Sequence, residues 1–153
     1  MFLAMDGNSS DGDIVGKGKE CSAVRKAISS VDIFLPNAKE ARRITGVQDL
    51  EEAICMLGKL CPEVVIKDGA NGSYACVNGQ VSHAAAIEVN PIDTTGAGDN
   101  FNAGYLRAWL EGNPVEMRLK WGNIVGGLST TEPGGTTRKI SCELISQYLQ
   151  QYG

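Results

Sequence analysis

The stretch DTTGAGDNF at 93–101 joins a glycine-rich turn to the start of a predicted helix. Gly96 and Gly98 allow the backbone to turn tightly and to approach a ligand closely. The N–H groups at the start of the helix, together with the helix dipole, favour an anion. The carboxylate of Asp99 suits such a site if it takes a proton from a hydroxyl while the amides hold the phosphoryl group that this hydroxyl attacks. The stretch therefore predicts phosphoryl-transfer chemistry.

A plain structural role accounts for the same turn, because Asp99 can serve as an acid in the first turn of the helix, worth ~0.5–2 kcal/mol. A G-x-G-D sequence alone is weak evidence for a site. The longer stretch DTTGAGDNFNAG at 93–104 is much more specific. It resembles the second signature of the PfkB (ribokinase-like) carbohydrate kinase family, D-T-x-G-A-G-D-x-F-x-A-G, at every fixed place, and long motifs in the right strand–turn–helix context have few false positives.

This resemblance implies a role for each residue of the turn. Asp99 would be the base that deprotonates a hydroxymethyl group of the substrate, and the amides of Gly96, Ala97, Gly98 and Asp99 would form an anion hole for the γ-phosphoryl group of ATP. The implied activity is ATP-dependent phosphorylation of a sugar or sugar acid. Two alternatives stay open, a nucleoside kinase of the same superfamily and a non-catalytic fragment that binds nucleotide or oligomerises.

Asn37 and Glu40 have the spacing of a capping box, in which an asparagine N-cap and a glutamate three residues later cap a helix reciprocally. That role alone explains the pair. The segment also resembles the N-x-x-E segment of the family, whose glutamate helps to hold hydrated Mg²⁺ near the phosphates. The resemblance therefore implies a magnesium site at Asn37 and Glu40, and the two roles are compatible.

The segment KDGANG at 67–72 is interpreted either as a simple loop between a strand and a hairpin or, by resemblance, as the nucleotide loop T-x-G-x-x-G of the family. The resemblance implies nucleotide contacts for Lys67, Gly69 and Gly72. Lys67 replaces the usual threonine, and it either pairs with phosphate as a point charge or offsets Asp68. Asn123 resembles a residue of the adenine-side helix in the family, and its alternative is an asparagine that faces solvent or caps the core.

Asp93 and the loop PGGTT at 133–137 resemble the loops that bind K⁺ through carbonyls and hydroxyls in ribokinase-like proteins. The interpretation that we slightly favour is a tight turn in which Asp93 accepts local N–H groups. The single histidine, His83, lies in a predicted hairpin strand, where a surface or packing role is expected rather than catalysis.

Short apolar strands that alternate with helices predict an α/β fold with a mainly parallel sheet and one antiparallel hairpin. Asn78-Gly79 is a strong signal for a two-residue hairpin turn. The resemblance implies a layered α/β/α fold of the ribokinase type. Helices are predicted at 19–30, 37–46, 49–60, from the 93–99 turn to about 111, from 114 and from 141, and strands near residue 2, at 31–35, 63–67, 73–77 and 80–89, with a short strand before 93.

Composition limits the classes of function. The 153 residues fit one domain, and the net charge of −4 gives no basic surface for nucleic acid. The five cysteines, at 21, 55, 61, 76 and 142, show no C-x-x-C spacing, so we expect buried free thiols in a reducing cytosol. No apolar run approaches the ~20 residues that span a bilayer, so we expect a cytoplasmic protein.

The resemblance extends from Met5 to the C-terminus, but it covers only about the second half of a typical family member. We therefore expect residues 1–153 to be the C-terminal nucleotide-binding and catalytic part of a ribokinase-like domain, without the N-terminal half and its lid over the sugar. Part of a sheet leaves an unpaired edge. We expect that edge to favour a homo-oligomer or another association.

Overall fold

The computed structural model describes residues 1–7, 19–135 and 138–152, and it describes the backbone but not the side chains of residues 19–21. Contacts divide the chain into two compact units, unit 1 (1–68 and 74–82) and unit 2 (69–73 and 83–153). The strands form one sheet in the order β1-β2-β3-β4-β5. They are β1 (Ala4–Asp6), β2 (Ile33–Leu35), β3 (Glu63–Lys67), β4 (Ser73–Val77) and β5 (Gln80–Ala84).

The described helices agree closely with the predicted ones, with ends that differ by a few residues. They are α1 (Lys19–Ile28), α2 (Ala38–Thr45), α3 (Leu50–Leu57), α4 (Ala97–Leu110), α5 (Val115–Ser129) and α6 (Cys142–Tyr152). A single 3₁₀ turn covers Gly69–Asn71. The predicted α/β class and the mainly parallel character of the sheet in unit 1 are confirmed.

In unit 1, β1, β2 and β3 run parallel, with Asp6 opposite Leu35 and Ile33 opposite Glu63. Their apolar side chains form one core with the buried faces of α1, α2 and α3. Because parallel strands end at the same edge of a sheet, Asp6, Leu35 and Lys67 terminate on one side of unit 1. This edge is where ligands bind in open α/β sheets.

Local capping signals correctly predicted the boundaries of two helices. The side chain of Asn37 accepts from the N–H of Glu40, and the side chain of Glu40 accepts from the N–H of Asn37, so the predicted capping box of α2 is present. Gly46 ends α2 in the left-handed conformation, with φ 80°. Asp49 caps α3 by accepting from the N–H of Glu52 at 2.8 Å. These contacts form between near neighbours, which is why sequence predicts them well.

The hairpin turn is confirmed, but its second strand is shorter than predicted. Asn78 and Gly79 both have positive φ, 51° and 81°, as a type I′ turn requires. The strand β5 ends at Ala84 and not at Val89, because Asn123 Nδ2 donates to the carbonyls of Ala84 and Ala85, at 2.9 and 3.0 Å. Those carbonyls are therefore not available to a neighbouring strand.

The prediction of a short strand before residue 93 is wrong. Residues 85–96, all of which the structure describes, contain no strand. The N–H groups of Ile92 and Asp93 both donate to the carbonyl of Thr130, at 2.7 and 3.1 Å. Thr130 is the C-terminal cap of α5, so this approach to the glycine turn is held by a helix end.

In unit 2, α4 and α5 pack closely because glycines replace side chains at their contact. A Cβ atom at Gly104 would lie 2.8 Å from the Trp121 carbonyl oxygen, and one at Gly122 would lie 2.7 Å from the Phe101 ring. The Phe101 and Tyr105 rings stack with centroids 6.1 Å apart. Both rings are buried, so they anchor the first turns of α4.

This packing predicts that Gly104→Leu destabilises the chain by about 1–3 kcal/mol or more, because overpacking must push α4 and α5 apart. Its control is Ala103→Leu, at an exposed position on the same helix, where surface substitutions usually stay within about 0.5 kcal/mol. Urea denaturation of the two variants measures the difference. Equal losses of unfolding free energy would show that the contact of α4 with α5 is not tight.

The described cysteines are free, as expected, but only some are buried. Cys61 and Cys76 are buried, whereas Cys55 and Cys142 are exposed on α3 and α6. Burial raises the pKa of the Cys61 and Cys76 thiols. Cys55 and Cys142 depart from the expectation because helix residues at those positions face solvent. Within the described ranges, no helix combines the length and the hydrophobicity that a membrane span requires.

Candidate active site

The glycine turn of unit 2 presents backbone amides at the start of α4. Gly96 is the N-cap and adopts the left-handed conformation, with φ 73° and ψ 4°. The N–H of Ala97 donates to the Thr94 carbonyl at 3.2 Å and so belongs to the turn itself. Among the described residues, the N–H groups of Gly96, Gly98 and Asp99 have no hydrogen-bond partner. Three of the four predicted anion-hole amides are therefore available to a ligand.

The carboxylate of Asp99 lies in the first turn of α4 and is exposed. It has no hydrogen bond or ion pair with any part of the chain that the structure describes. As an acid in the first turn it also interacts favourably with the helix dipole, which needs no hydrogen bond. The arrangement thus leaves a carboxylate free to accept a proton beside amides that can hold an anion.

Asp93 fastens the glycine turn to the loop at 133–135. Its Oδ1 accepts from the N–H of Thr95 at 2.9 Å, and its Oδ2 accepts from the N–H of Gly134 at 2.9 Å. The Gly134 N–H, followed by the hydroxyl and the N–H of Thr95, lowers the pKa of the Asp93 carboxyl to about 2. The prediction that Asp93 accepts local N–H groups is therefore confirmed. A role in binding K⁺ stays a prediction, and Thr137 of the predicted K⁺ loop lies outside the described residues.

The lowered pKa predicts how this contact depends on pH. A carboxyl whose pKa is depressed on folding stabilises the fold at pH values above its unfolded pKa, and the effect is lost as the pH falls through about 2. We expect the difference in Tm between the wild type and Asp93→Ala to stay constant from pH 8 to about pH 5 and to shrink progressively as the pH falls further towards 2. Thermal melts from pH 8 down to about pH 2 measure it. A difference that changes near neutral pH would contradict the assignment.

Asn100 makes a second connection between the same two segments. Its Nδ2 donates to the Gly96 carbonyl at 2.9 Å and to the Gly135 carbonyl at 2.7 Å. Sequence reasoning missed this residue, because position 100 is a variable place in the signature and Gly135 lies 35 residues away. The spacing of four residues between Asn100 and Gly96 was the only local feature of the sequence that could have indicated this hydrogen bond.

The other glycine loop of unit 2 is shaped by positive φ angles at Gly69 and Gly72, 55° and 95°. A Cβ atom at Gly72 would lie 2.7 Å from the Ala86 nitrogen, so only glycine fits there. Nε2 of His83 lies 3.0 Å from the Asn71 carbonyl oxygen, which confirms the surface role expected for His83. Residues 69–72 of the predicted nucleotide loop thus pack closely against other residues of unit 2.

Asn123 is buried and is not exposed to solvent, so of its two structural alternatives the core-capping one is confirmed. Both hydrogens of its carboxamide are directed at the carbonyls of Ala84 and Ala85. Beside it, a cavity of about 220 Å³ is lined by residues that include His83, Lys120 and Tyr152. This is a mixed apolar and basic cavity in the same unit as the glycine turn.

In unit 1, the carboxyl ends of the parallel strands gather charged residues. Nζ of Lys67 lies 2.8 Å from Oδ1 of Asp6, with the two side chains 12% and 32% exposed. Lys67 also donates its N–H to the Pro36 carbonyl at 3.0 Å. The sequence analysis proposed a phosphate or Asp68 as the partner of the Lys67 side chain. It did not predict Asp6, which lies 61 residues away in the sequence. A lysine already paired with a carboxylate is a weaker phosphate ligand than a free one.

The predicted magnesium residues lie at the same edge of unit 1. Glu40 is buried, and its Oε2 accepts the Asn37 N–H at 2.8 Å. A Cβ atom at Gly7 would collide with the Glu40 carboxylate, so glycine at position 7 leaves the space that this buried carboxylate occupies. Among the described residues, no three His, Cys, Asp or Glu side chains gather to hold a metal. One carboxylate with substrate phosphates is nonetheless a usual set of ligands for Mg²⁺, and Asn37 and Glu40 fit it.

Comparison with known proteins identifies the relatives of this chain. A model of the pfkB family of carbohydrate kinases matches residues 6–141. The chain is 33% identical to the ribokinase of Haemophilus influenzae over 128 residues, which are 77% of this chain and 42% of the relative. It is 33% identical to the cytidine kinase of Thermococcus kodakarensis over 108 residues, which are 68% of this chain and 38% of the relative.

A solved structure shares the fold. A double mutant of the fructokinase of Vibrio cholerae, bound to fructose, ADP and a potassium ion, has a TM-score of 0.82 and 26% identity. The alignment covers 97% of this chain and 50% of the fructokinase. The chain therefore spans about half the length of the relatives it matches, and its fold is of the ribokinase type. With the family model matched over residues 6–141, the chain belongs to the pfkB family of carbohydrate kinases.

Proposed function

We propose that the chain carries the nucleotide-binding and catalytic residues of an ATP-dependent kinase that phosphorylates a hydroxyl of a sugar or sugar acid. The observation that carries the proposal is the first turn of α4, where a carboxylate and three amides lie side by side without a partner in the described part of the chain. An anion site and a base are the two elements that phosphoryl transfer to a hydroxyl requires. The ribokinase relative supports a sugar as the acceptor.

In the proposed reaction, the acceptor oxygen forms a bond to the γ-phosphorus of ATP while the bond from that phosphorus to the bridging oxygen breaks. Asp99 takes the proton of the attacking hydroxyl, and ADP leaves. The N–H groups of Gly96, Gly98 and Asp99 stabilise the charge on the transferring phosphoryl group. The loss of one such donor costs about 3–4 kcal/mol in comparable anion holes of acyl-transfer enzymes.

We also propose that the nucleotide lies along the two glycine loops of unit 2. Gly69 and Gly72 let the backbone of their loop approach the phosphates, and the cavity beside Asn123 accepts the base. Because both carboxamide hydrogens of Asn123 are engaged, its contribution is to hold residues 84 and 85 in place. In unit 1, Lys67 stays a proposed nucleotide-binding residue whose charge is shared with Asp6.

Mg²⁺, when bound, would neutralise charge on the phosphates, and Asn37 and Glu40 are the residues proposed to hold it. Glu40 offers a carboxylate fixed by the capping box, so its orientation does not have to be set on binding. For K⁺ we propose Asp93 and carbonyls of the 133–135 loop. Since both oxygens of Asp93 already accept N–H groups, their remaining lone pairs are what the carboxylate would offer.

Two other functions remain candidates. The cytidine kinase relative favours a nucleoside as the acceptor, within the same chemistry. A chain that binds nucleotide without transferring phosphate is the non-catalytic alternative. For its associations, we propose the β1 edge, where Phe2 and Leu3 are exposed at 56% and 43%. Light scattering at several concentrations would show whether the chain forms a homo-oligomer.

The proposed function is tested with this chain and with the longest polypeptide that its gene encodes. Calorimetry with ATP and Mg²⁺ measures nucleotide binding, and ADP release is followed with ribose, fructose, a 2-keto-3-deoxy sugar acid, adenosine and cytidine. Phosphorylation of a sugar or sugar acid is the expected result. Phosphorylation of nucleosides alone would favour the nucleoside kinase, and ATP binding without transfer in either polypeptide would favour the non-catalytic alternative.

A further inference from the structure

Two segments of unit 2 that are far apart in sequence meet at the glycine turn, and two side chains join them. Asp93 accepts N–H groups from both segments, from Thr95 and from Gly134. Asn100 does the complementary task, since its Nδ2 donates to a carbonyl of each segment, Gly96 and Gly135. The two segments are thus fixed through their donors by one residue and through their acceptors by the other.

The close approach of the backbones makes these bonds necessary. A Cβ atom at Gly135 would collide with the Thr95 carbonyl oxygen and would lie 3.7 Å from the Gly96 Cα atom. The carbonyls of Gly96 and Gly135 both lie within 3 Å of one nitrogen, at 2.9 and 2.7 Å. Without a donor between them, two carbonyl dipoles directed at one point would repel each other.

From this geometry we infer that Asn100 is a positioning residue, which holds the anion-binding turn at 96–99 against the loop at 133–135. The Asn100 carboxamide neutralises both carbonyls and so fixes the peptide group between Gly96 and Ala97, which lies inside the turn between the amides of Gly96 and Gly98. The fixed turn needs no rearrangement when a phosphoryl group arrives, which is how preorganised amides stabilise an anion. Only the identity of that anion rests on the proposed function.

The Asn100 clamp, by which we mean the two hydrogen bonds from Asn100 to Gly96 and Gly135, is tested by hydrogen exchange. The experiment uses the full chain without nucleotide, at pH 8. Asn100→Ala removes both bonds, and Asn100→Asp keeps the shape but replaces the donors with an acceptor. We expect both variants to exchange about tenfold faster or more at the hydrogen-bonded amides of Thr95, Ala97 and Gly134, since each lost bond shifts an opening equilibrium by roughly fivefold. The matched control is Asn113→Ala, which removes a carboxamide-to-carbonyl bond to Ala108 at the other end of α4 and should leave both segments unchanged.

Three results would overturn the inference. Faster exchange in one segment alone would show that Asn100 does not join them, and unchanged exchange in Asn100→Asp would show that its shape matters and not its donors. Equal loosening by Asn113→Ala would show a general loss of stability.

A second readout concerns the ligand. A loosened turn should weaken binding of a non-hydrolysable ATP analogue about tenfold relative to ADP, because only the former presents a γ-phosphoryl group to the amides. An unchanged ratio of the two affinities would overturn the role of Asn100 at the anion site. If the wild-type chain binds neither nucleotide, the proposed function fails, and the exchange experiment still decides the clamp.

Discussion

Asp99→Asn is expected to lower kcat for phosphoryl transfer by about 10²–10⁴-fold, the usual contribution of a general base. Asparagine has the shape of aspartate but cannot take the proton of the attacking hydroxyl. The amides of Gly96, Gly98 and Asp99, which have no partner within residues 1–7, 19–135 and 138–152, are backbone groups and remain in the variant. We therefore expect the affinity for ATP to stay within a few-fold. The assay is ADP release by the catalytically competent polypeptide, with calorimetry for ATP.

A matched control for this substitution lies on the same helix. Glu111→Gln removes a carboxylate at the other end of α4, where Glu111 pairs with Arg107 at the surface. Exposed pairs of this kind contribute little, about 0–1 kcal/mol. We expect normal kcat in Glu111→Gln. Asp99→Asn with kcat within tenfold of the wild type would contradict the assignment of Asp99 as the base.

Features set by near neighbours were predictable from the sequence. The capping box of α2 joins residues three apart, and the Asn78-Gly79 turn depends on the φ preferences of two adjacent residues. The position of the glycine turn before α4 followed from the long signature at 93–104. For these features the residue types themselves restrict the backbone, so few alternatives remain.

The contacts that fix the site were not predictable, because each joins residues brought together only by the fold. Lys67 pairs with Asp6, 61 residues away in the sequence, and Asp93 accepts the N–H of Gly134, 41 residues away. Asn123 explains why β5 ends early, since it captures the Ala84 carbonyl from 39 residues away. The sequence shows that such polar side chains exist, but many partners satisfy a carboxylate or a carboxamide equally well. Distance in three dimensions selects among them.

Gly72→Ala is expected to cost about 2–5 kcal/mol of unfolding free energy, because two effects add. Gly72 has φ 95°, a conformation that costs an L residue with a Cβ atom about 1–2 kcal/mol. The Cβ atom would also press on backbone atoms, 2.7 Å from the Ala86 nitrogen and 2.8 Å from the Ala85 carbonyl carbon. Backbone atoms cannot swing aside as a side chain would, and overpacking of this kind typically costs about 1–3 kcal/mol.

Gly79→Ala separates these two effects. Gly79 also has positive φ, 81°, but no heavy atom beyond its chain neighbours lies within 4 Å of its Cβ position. We expect Gly79→Ala to lose only the conformational part, about 1–2 kcal/mol. Urea denaturation of both variants yields the difference, which is the cost of the close approach to residues 84–86. If that crowding also shapes the nucleotide loop, Gly72→Ala will weaken ATP binding and Gly79→Ala will not. Equal losses of stability in the two variants would mean that the 69–72 loop can move away from residues 84–86. The proposal that this loop is held in place to approach the phosphates would then be wrong.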